Sequence, residues 1–370
     1  MKNLLTFVVV LLFVLSSCKQ QEVFKLTAEG LPGGQAYLYD EGRNLLDSIQ
    51  INEGLLEYTM PVETVEFRIL RVGDSSVSFF TENGNFQIVP ATEENATPGS
   101  TLAIEGPEGT NTITYRDFTV ELANVQKPFN EQMQALRELI GEENPTEEQW
   151  AEIRKSQSER KVVETGVIRE FYEANRDNVV APQIFSFFRL SDEEFVAEYE
   201  AAGDYVKNNE RFTHQYNTYK KSLETAVGKQ YVDYTMDNSI GETRELSEFM
   251  EEDKYLLVDF FASWCGPCIV SLPKIAELEK EYGSKGLNVL SIGTWEKNDR
   301  NTMEEAKANN DKAIEEENIY WDSFFDSESV GAEMYGVVGI PTLLLIAPDG
   351  TILVRTHSVG DIETKLAELL

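Results

Sequence analysis

The chain of 370 residues is poor in cysteine, histidine and positive charge, and each scarcity closes off a class of chemistry. Its three cysteines, Cys18, Cys265 and Cys268, are too few for a disulfide framework. The two histidines, His214 and His357, stand far apart in sequence, so a four-ligand zinc site is not expected, and neither metal nor cofactor is called for. Against 65 Asp and Glu there are 32 Lys and Arg, a formal net charge of −33. That leaves no basic face for the phosphates of a nucleic acid. It also opposes charge-driven binding to an anionic membrane. The apolar run over residues 4–15 is too short to cross a bilayer as a mature helix. Hydrophobic residues at 41% and aromatic residues at 11% nevertheless suffice for packed cores, and the length implies two or three domains.

The N-terminus has the form of a secretory signal. Lys2 precedes the apolar run, and Ser16, Ser17 and Cys18 follow it. Leu15-Ser16-Ser17-Cys18 resembles the lipobox of bacterial lipoproteins, which implies a signal segment over residues 1–18 and a lipid anchor on Cys18; the alternative is a plain signal peptide with an incidental cysteine. Several acyl chains anchor stably, because each buried methylene adds about 0.8 kcal/mol. With Cys18 acylated, the exported chain keeps only Cys265 and Cys268. A bridge between cysteines so close in sequence closes almost no loop and contributes little stability. The pair is therefore read as chemical.

Period-two alternation runs over residues 23–118, at Tyr37 and Tyr39, Ile49 and Ile51, Val65, Phe67 and Ile69, and Phe86 and Ile88. Turn signals such as Pro32-Gly33-Gly34 and Asn83-Gly84 separate these runs, so residues 19–118 are expected to form an antiparallel β-sandwich or curved sheet. It resembles the β-rich domain that often precedes a thioredoxin-like domain in envelope lipoproteins. Residues 119–227 change to a helical period, with Leu122, Val125, Phe129, Met133, Leu136 and Ile140 three and four apart, and Pro128 as a kink or break. Asn144-Pro145-Thr146-Glu147 reads as an N-cap, a first-turn proline and a capping acid, and Ser191-Asp192-Glu193-Glu194 as a second such start. Residues 228–370 alternate strand and helix, as in an α/β sheet, and residues 342–354 read as a hairpin turning at Pro348-Asp349-Gly350.

Trp264-Cys265-Gly266-Pro267-Cys268 falls between an apolar strand and a helix. A thiolate there is stabilised by unpaired N–H groups and the positive end of the helix dipole, which lowers its pKa from about 8.5 toward 7. The two-residue spacing lets Cys268 close a disulfide with Cys265.

The segment over residues 258–268 is similar to thioredoxins and to the TlpA/ResA-like branch exported by bacteria. Val338-Gly339-Ile340-Pro341-Thr342 strengthens the resemblance, which covers roughly the last 140 residues. It implies a C-terminal α/β thioredoxin fold with Cys265 as nucleophile and Cys268 as resolving thiol. Pro341 would be cis and face the disulfide, exposing the Ile340 backbone to substrate beside Gly339. Trp264, Gly266 and Pro267 would contact substrate, although ordinary core packing is an equal reading of Trp264. Asp259 would be the buried acid that exchanges a proton with Cys268; the alternative is an idle, solvated acid at a strand edge. Phe261 stands where thioredoxins usually have Trp, and many exported relatives place a glutamate elsewhere instead of this aspartate. Gly266-Pro267 resembles reducing relatives, so the expected activity is reduction of disulfides in envelope proteins, facing the periplasm, with a membrane thiol donor restoring the dithiol. Oxidase or isomerase chemistry, and a surface binding module with a vestigial redox site, are the alternatives.

Overall fold

Alternation of buried apolar and exposed residues shapes the first sheets. Phe24, Leu26 and Ala28 are buried while Val23 and Lys25 are exposed, so this strand has one face in a core. The computed structural model describes residues 22–370 except 93, 96, 98–99 and 142–143, so the signal segment and Cys18 lie outside the described residues. The chain divides into two units between Phe188 and Arg189.

In the first unit, β1 (Val23–Ala28), β4 (Leu56–Pro61), β7 (Gly84–Pro90) and β8 (Leu102–Glu105) form one sheet, and β2 (Gly34–Tyr39), β3 (Leu45–Ile51), β5 (Phe67–Val72) and β6 (Ser75–Phe80) the other. Their orders are β4-β1-β7-β8 and β3-β2-β5-β6. Neighbours are antiparallel apart from the parallel pair β1 and β7. Inside, the Phe24 ring stacks on Phe79 and Phe86 at centroid distances of 4.9 and 5.3 Å.

The helices α1 (Asn111–Ile140), α2 (Glu147–Asn175) and α3 (Ala181–Phe185) complete this unit. Strand-like pattern was expected through Phe118, but α1 already begins at Asn111. The cause is electrostatic. The half-exposed start is capped by Thr110, and the buried Glu82 carboxylate accepts the N–H groups of Asn111 and Thr112 at 2.9 and 2.7 Å. Pro128 does not break α1. Bonds to α2 hold the helix on both sides of it, from Gln126 to Glu164 at 2.7 Å and from Ser156 to Gln132 at 2.9 Å. The cap of α2 is Thr146 and not Asn144, because Thr146 and Gln149 close a reciprocal capping box at 2.8 and 3.3 Å. Ser191 and Glu194 form the expected box.

The remaining helices of the middle stretch, α4 (Asp192–Ala201), α5 (Asp204–Lys207) and α6 (Glu210–Glu224), belong to the second unit. There follow β9 (Thr235–Asp237), β10 (Thr243–Glu245), β11 (Tyr255–Phe261), α7 (Gly266–Tyr282), β12 (Leu287–Gly293), α8 (Met303–Glu316), β13 (Asp322–Phe325), α9 (Val330–Met334), β14 (Thr342–Ile346), β15 (Ile352–Thr356) and α10 (Val359–Leu369). The main sheet has the order β13-β12-β11-β14-β15, with β11, β12 and β13 parallel, β14 antiparallel to β11, and β15 antiparallel to β14. Leu256, Val258 and Phe260 pack on one face with Met236 and Tyr335. Leu257 packs on the other with Leu272, Ile275 and Ile362 of α7 and α10. This is a thioredoxin-like α/β domain, preceded by a β-rich region and helices. Among the described residues no helix is long and apolar enough to cross a membrane.

The helix α6 is tied to this core. Gly336 has φ 55°, and a Cβ there would lie 2.2 Å from the Thr218 carbonyl oxygen. The Arg355 guanidinium donates to Thr225 Oγ1 at 2.9 Å and to the Gly336 carbonyl at 3.1 Å.

Candidate active site

The strand β11 runs straight into the cysteine pair, and α7 leaves from it. Cys265 is the N-cap of α7, its Sγ accepting the Cys268 N–H at 3.3 Å. The two sulfurs form a disulfide with the Cα atoms 5.2 Å apart. Cys268 is fully buried and Cys265 is 5% exposed, so Cys265 is the sulfur that an incoming group meets. At this place the free N–H groups of the first helical turn favour a thiolate. Gly266 and Pro267 are exposed beside it.

The second expected segment arrives from the far end of the chain. Ile340–Pro341 is a cis peptide, and the Ile340 carbonyl oxygen lies 3.6 Å from Cys265 Sγ. The loop is held on both sides. Thr342 Oγ1 donates to the Gly339 carbonyl at 2.6 Å, and His357 Nδ1 donates to the Pro341 carbonyl at 2.6 Å. A carbonyl only accepts, so this bond places the proton on Nδ1. Trp264 is 58% exposed, with its indole N–H on the Trp295 carbonyl at 3.0 Å. It stands at the surface beside the disulfide, outside the core.

Asp259 shares with Leu257 and Phe261 the face of β11 that α7 covers. It is fully buried. Ser291 Oγ receives the Trp321 indole N–H at 2.9 Å and donates to Asp259 Oδ2 at 3.4 Å, while Oδ1 has no hydrogen-bond partner. Loss of solvent pushes the Asp259 carboxyl up to about 7, against the opposing effect of the Ser291 bond. A group titrating there can take up or release a proton at neutral pH.

A further acid, Glu296, was not anticipated. It is 2% exposed, and its carboxylate accepts the Ser263 N–H at 2.6 Å and the Ser263 hydroxyl at 2.7 Å. Asn310 Nδ2 donates to the same carboxylate at 3.4 Å. Glu296 thus clamps the loop that presents Trp264 and Cys265. The neighbouring Trp295 has φ 53° and donates its N–H to Ser329 Oγ at 2.7 Å. The signal that could have found Glu296 is its place just beyond the C-terminal end of the parallel strand β12, where α/β sheets gather their sites. Cys265, Cys268, Trp264, Gly266, Pro267, Gly339, Ile340 and Pro341 therefore meet at one place. Among the described residues no cluster of His, Cys, Asp or Glu could hold a metal.

A disulfide at a helix N-terminus on this sheet, faced by an Ile-Pro loop, is the arrangement of thiol–disulfide oxidoreductases of the thioredoxin type. Residues 227–355 match the AhpC/TSA family. Over 142 residues the chain is 24% identical to the thiol-disulfide oxidoreductase ResA of Bacillus cereus, covering 38% of this chain and 76% of that protein. Over 157 residues it is 27% identical to the thioredoxin-like protein YneN of Bacillus subtilis, covering 41% and 85%. A solved thiol-disulfide oxidoreductase from Bacteroides fragilis is 29% identical, with 38% of this chain and all 100% of that chain covered and a TM-score of 0.33.

Proposed function

We propose that the protein reduces disulfides of envelope proteins, held to a membrane by lipid on Cys18 and facing the periplasm. The observation that supports this most is the asymmetry of the pair: Cys265 caps the helix at the surface while Cys268 is sealed behind it. In the dithiol form the Cys265 thiolate attacks a substrate disulfide. The substrate S–S bond breaks, a Cys265–substrate disulfide forms, and one substrate thiolate leaves and takes a proton. Cys268 then gives up its proton, to Asp259 in this reading, and attacks Cys265 Sγ. The Cys265–Cys268 bond forms and the second substrate sulfur departs as a thiol, so the substrate gains two electrons and two protons. A membrane thiol donor returns both to the enzyme. Trp264, Gly266, Pro267 and the Gly339-Ile340-Pro341 backbone receive the substrate.

Purified protein should reduce insulin with dithiothreitol as donor, and Cys265→Ser should abolish this. A mutant as active as the wild type would overturn the assignment. A couple near −270 mV, as in thioredoxin, is expected; one near −120 mV, about that of the strong oxidant DsbA, would make the enzyme an oxidant instead.

A further inference from the structure

A groove of about 640 Å³ lies in the second unit between α6, α9 and the loops after β12 and α9. His214, Thr218 and Tyr219 of α6 form one wall, and Trp295, Lys297 and Val338 lie among its other lining residues. Two of these residues join it to the redox site. The Trp295 carbonyl accepts the Trp264 indole N–H at 3.0 Å, one residue before Cys265. Val338, 61% exposed, stands two residues before Ile340, whose carbonyl oxygen is 3.6 Å from Cys265 Sγ. The wall from α6 lies outside the stretch that matches the AhpC/TSA family, residues 227–355, so it is an addition to that domain. It is also a fixed addition, because Gly336 and Arg355 hold α6 to the sheet.

We infer that α6 supplies a docking wall for substrate polypeptide, seating the segment next to the cysteine that Cys265 attacks; this rests on the oxidoreductase reading above. The volume is that of a site taking a few side chains. Charge does not select the occupant, since His214 and Lys297 share the groove with Glu328 and Glu333, and Glu333 is already paired with Lys221 at 2.7 Å. Contact with Tyr219, Trp295 and Val338 does, so the groove favours an apolar or aromatic side chain flanking the reactive cysteine. A small disulfide reaches Cys265 without entering it.

The test compares insulin with 5,5′-dithiobis(2-nitrobenzoate) on the full chain. Thr218→Trp fills the groove and should lower kcat/KM for insulin relative to that for the small disulfide at least fivefold, through KM. An unchanged ratio overturns the docking wall. Because a bulky side chain could disturb α6, the wall is also read without altering it. In Cys268→Ala joined to the insulin B chain, hydrogen exchange in α6 should slow relative to the same variant joined to mercaptoethanol. Equal exchange overturns the inference. A wild type inert toward both disulfides removes the oxidoreductase reading, and this groove with it.

Discussion

Asp259 and Glu296 are both buried carboxylates, and their surroundings give them opposite characters. Among the described residues Asp259 has one long bond and one oxygen without a partner, whereas both oxygens of Glu296 accept, from Ser263 and Asn310. The folded protein binds a proton at Asp259 more tightly than the unfolded chain does, since its carboxyl is pushed up to about 7 from 3.8. The resulting stability is complete below the ordinary carboxylate pKa and is lost as pH rises through about 7. Asp259→Asn removes that loss. Urea midpoints at pH 5 and pH 8 should show the mutant gaining on the wild type at the higher pH. Asp326, pushed up in the same direction to about 6, contributes equally to both proteins and cancels. Stopped-flow resolution of the mixed disulfide should slow in Asp259→Asn and lose an inflection near pH 7; a profile matching the wild type would leave Asp259 without a part in proton transfer. Glu296→Gln should instead lower stability, by about 1–3 kcal/mol, since an amide replaces one of the two oxygens that accept from Ser263 with a donor. Unchanged urea unfolding would show that the carboxylate does not hold the loop. Asp259 was legible because it interrupts an apolar strand that runs into the cysteines. Glu296 was not singled out: one acid among 65 is marked only by its place just after β12, and its bonds to Ser263 exist only once the fold brings the two together.

At the scale of elements, local signals succeeded at the start of α4 and at the last hairpin, misplaced the cap of α2 by two residues, and failed where distant partners decide. Ser191 with Glu194, and the turn at Pro348-Asp349-Gly350 between β14 and β15, carry their own instructions. The start of α1 does not, for its N–H acceptor is Glu82, almost thirty residues earlier in the chain. Pro128 likewise sits inside a helix that α2 holds together from outside. The placement of α6 depends on the Arg355 bonds and on the close approach at Gly336. Gly336 adopts φ 55° with the Thr218 carbonyl where a Cβ would stand. Gly336→Ala should therefore cost more than about 1 kcal/mol by urea unfolding, and it should weaken insulin reduction by displacing α6. An alanine variant as stable as the wild type would mean that α6 can shift without loss.

For the whole molecule, family resemblance and packing draw different borders. The family match starts at residue 227, whereas the compact unit starts at Arg189 and includes α4, α5 and α6. Hydrophobic period alone placed those helices with α1 and α2, since it reports an apolar face and not which sheet covers it. The proposed anchor concerns the opposite end. Native protein should fractionate with membranes and take up labelled palmitate, and Cys18→Ala should do neither; an unlabelled, soluble wild type would leave a plain signal peptide. The burial of Cys268 has a practical consequence. In the proposed mechanism an outside thiol meets Cys265 and not that sulfur, so every electron pair exchanged with a partner crosses Cys265. When Cys268 is replaced by alanine, any chain found covalently attached at the site is bound through one known atom, and the identity of the attached chain can be read as that of a reaction partner caught halfway.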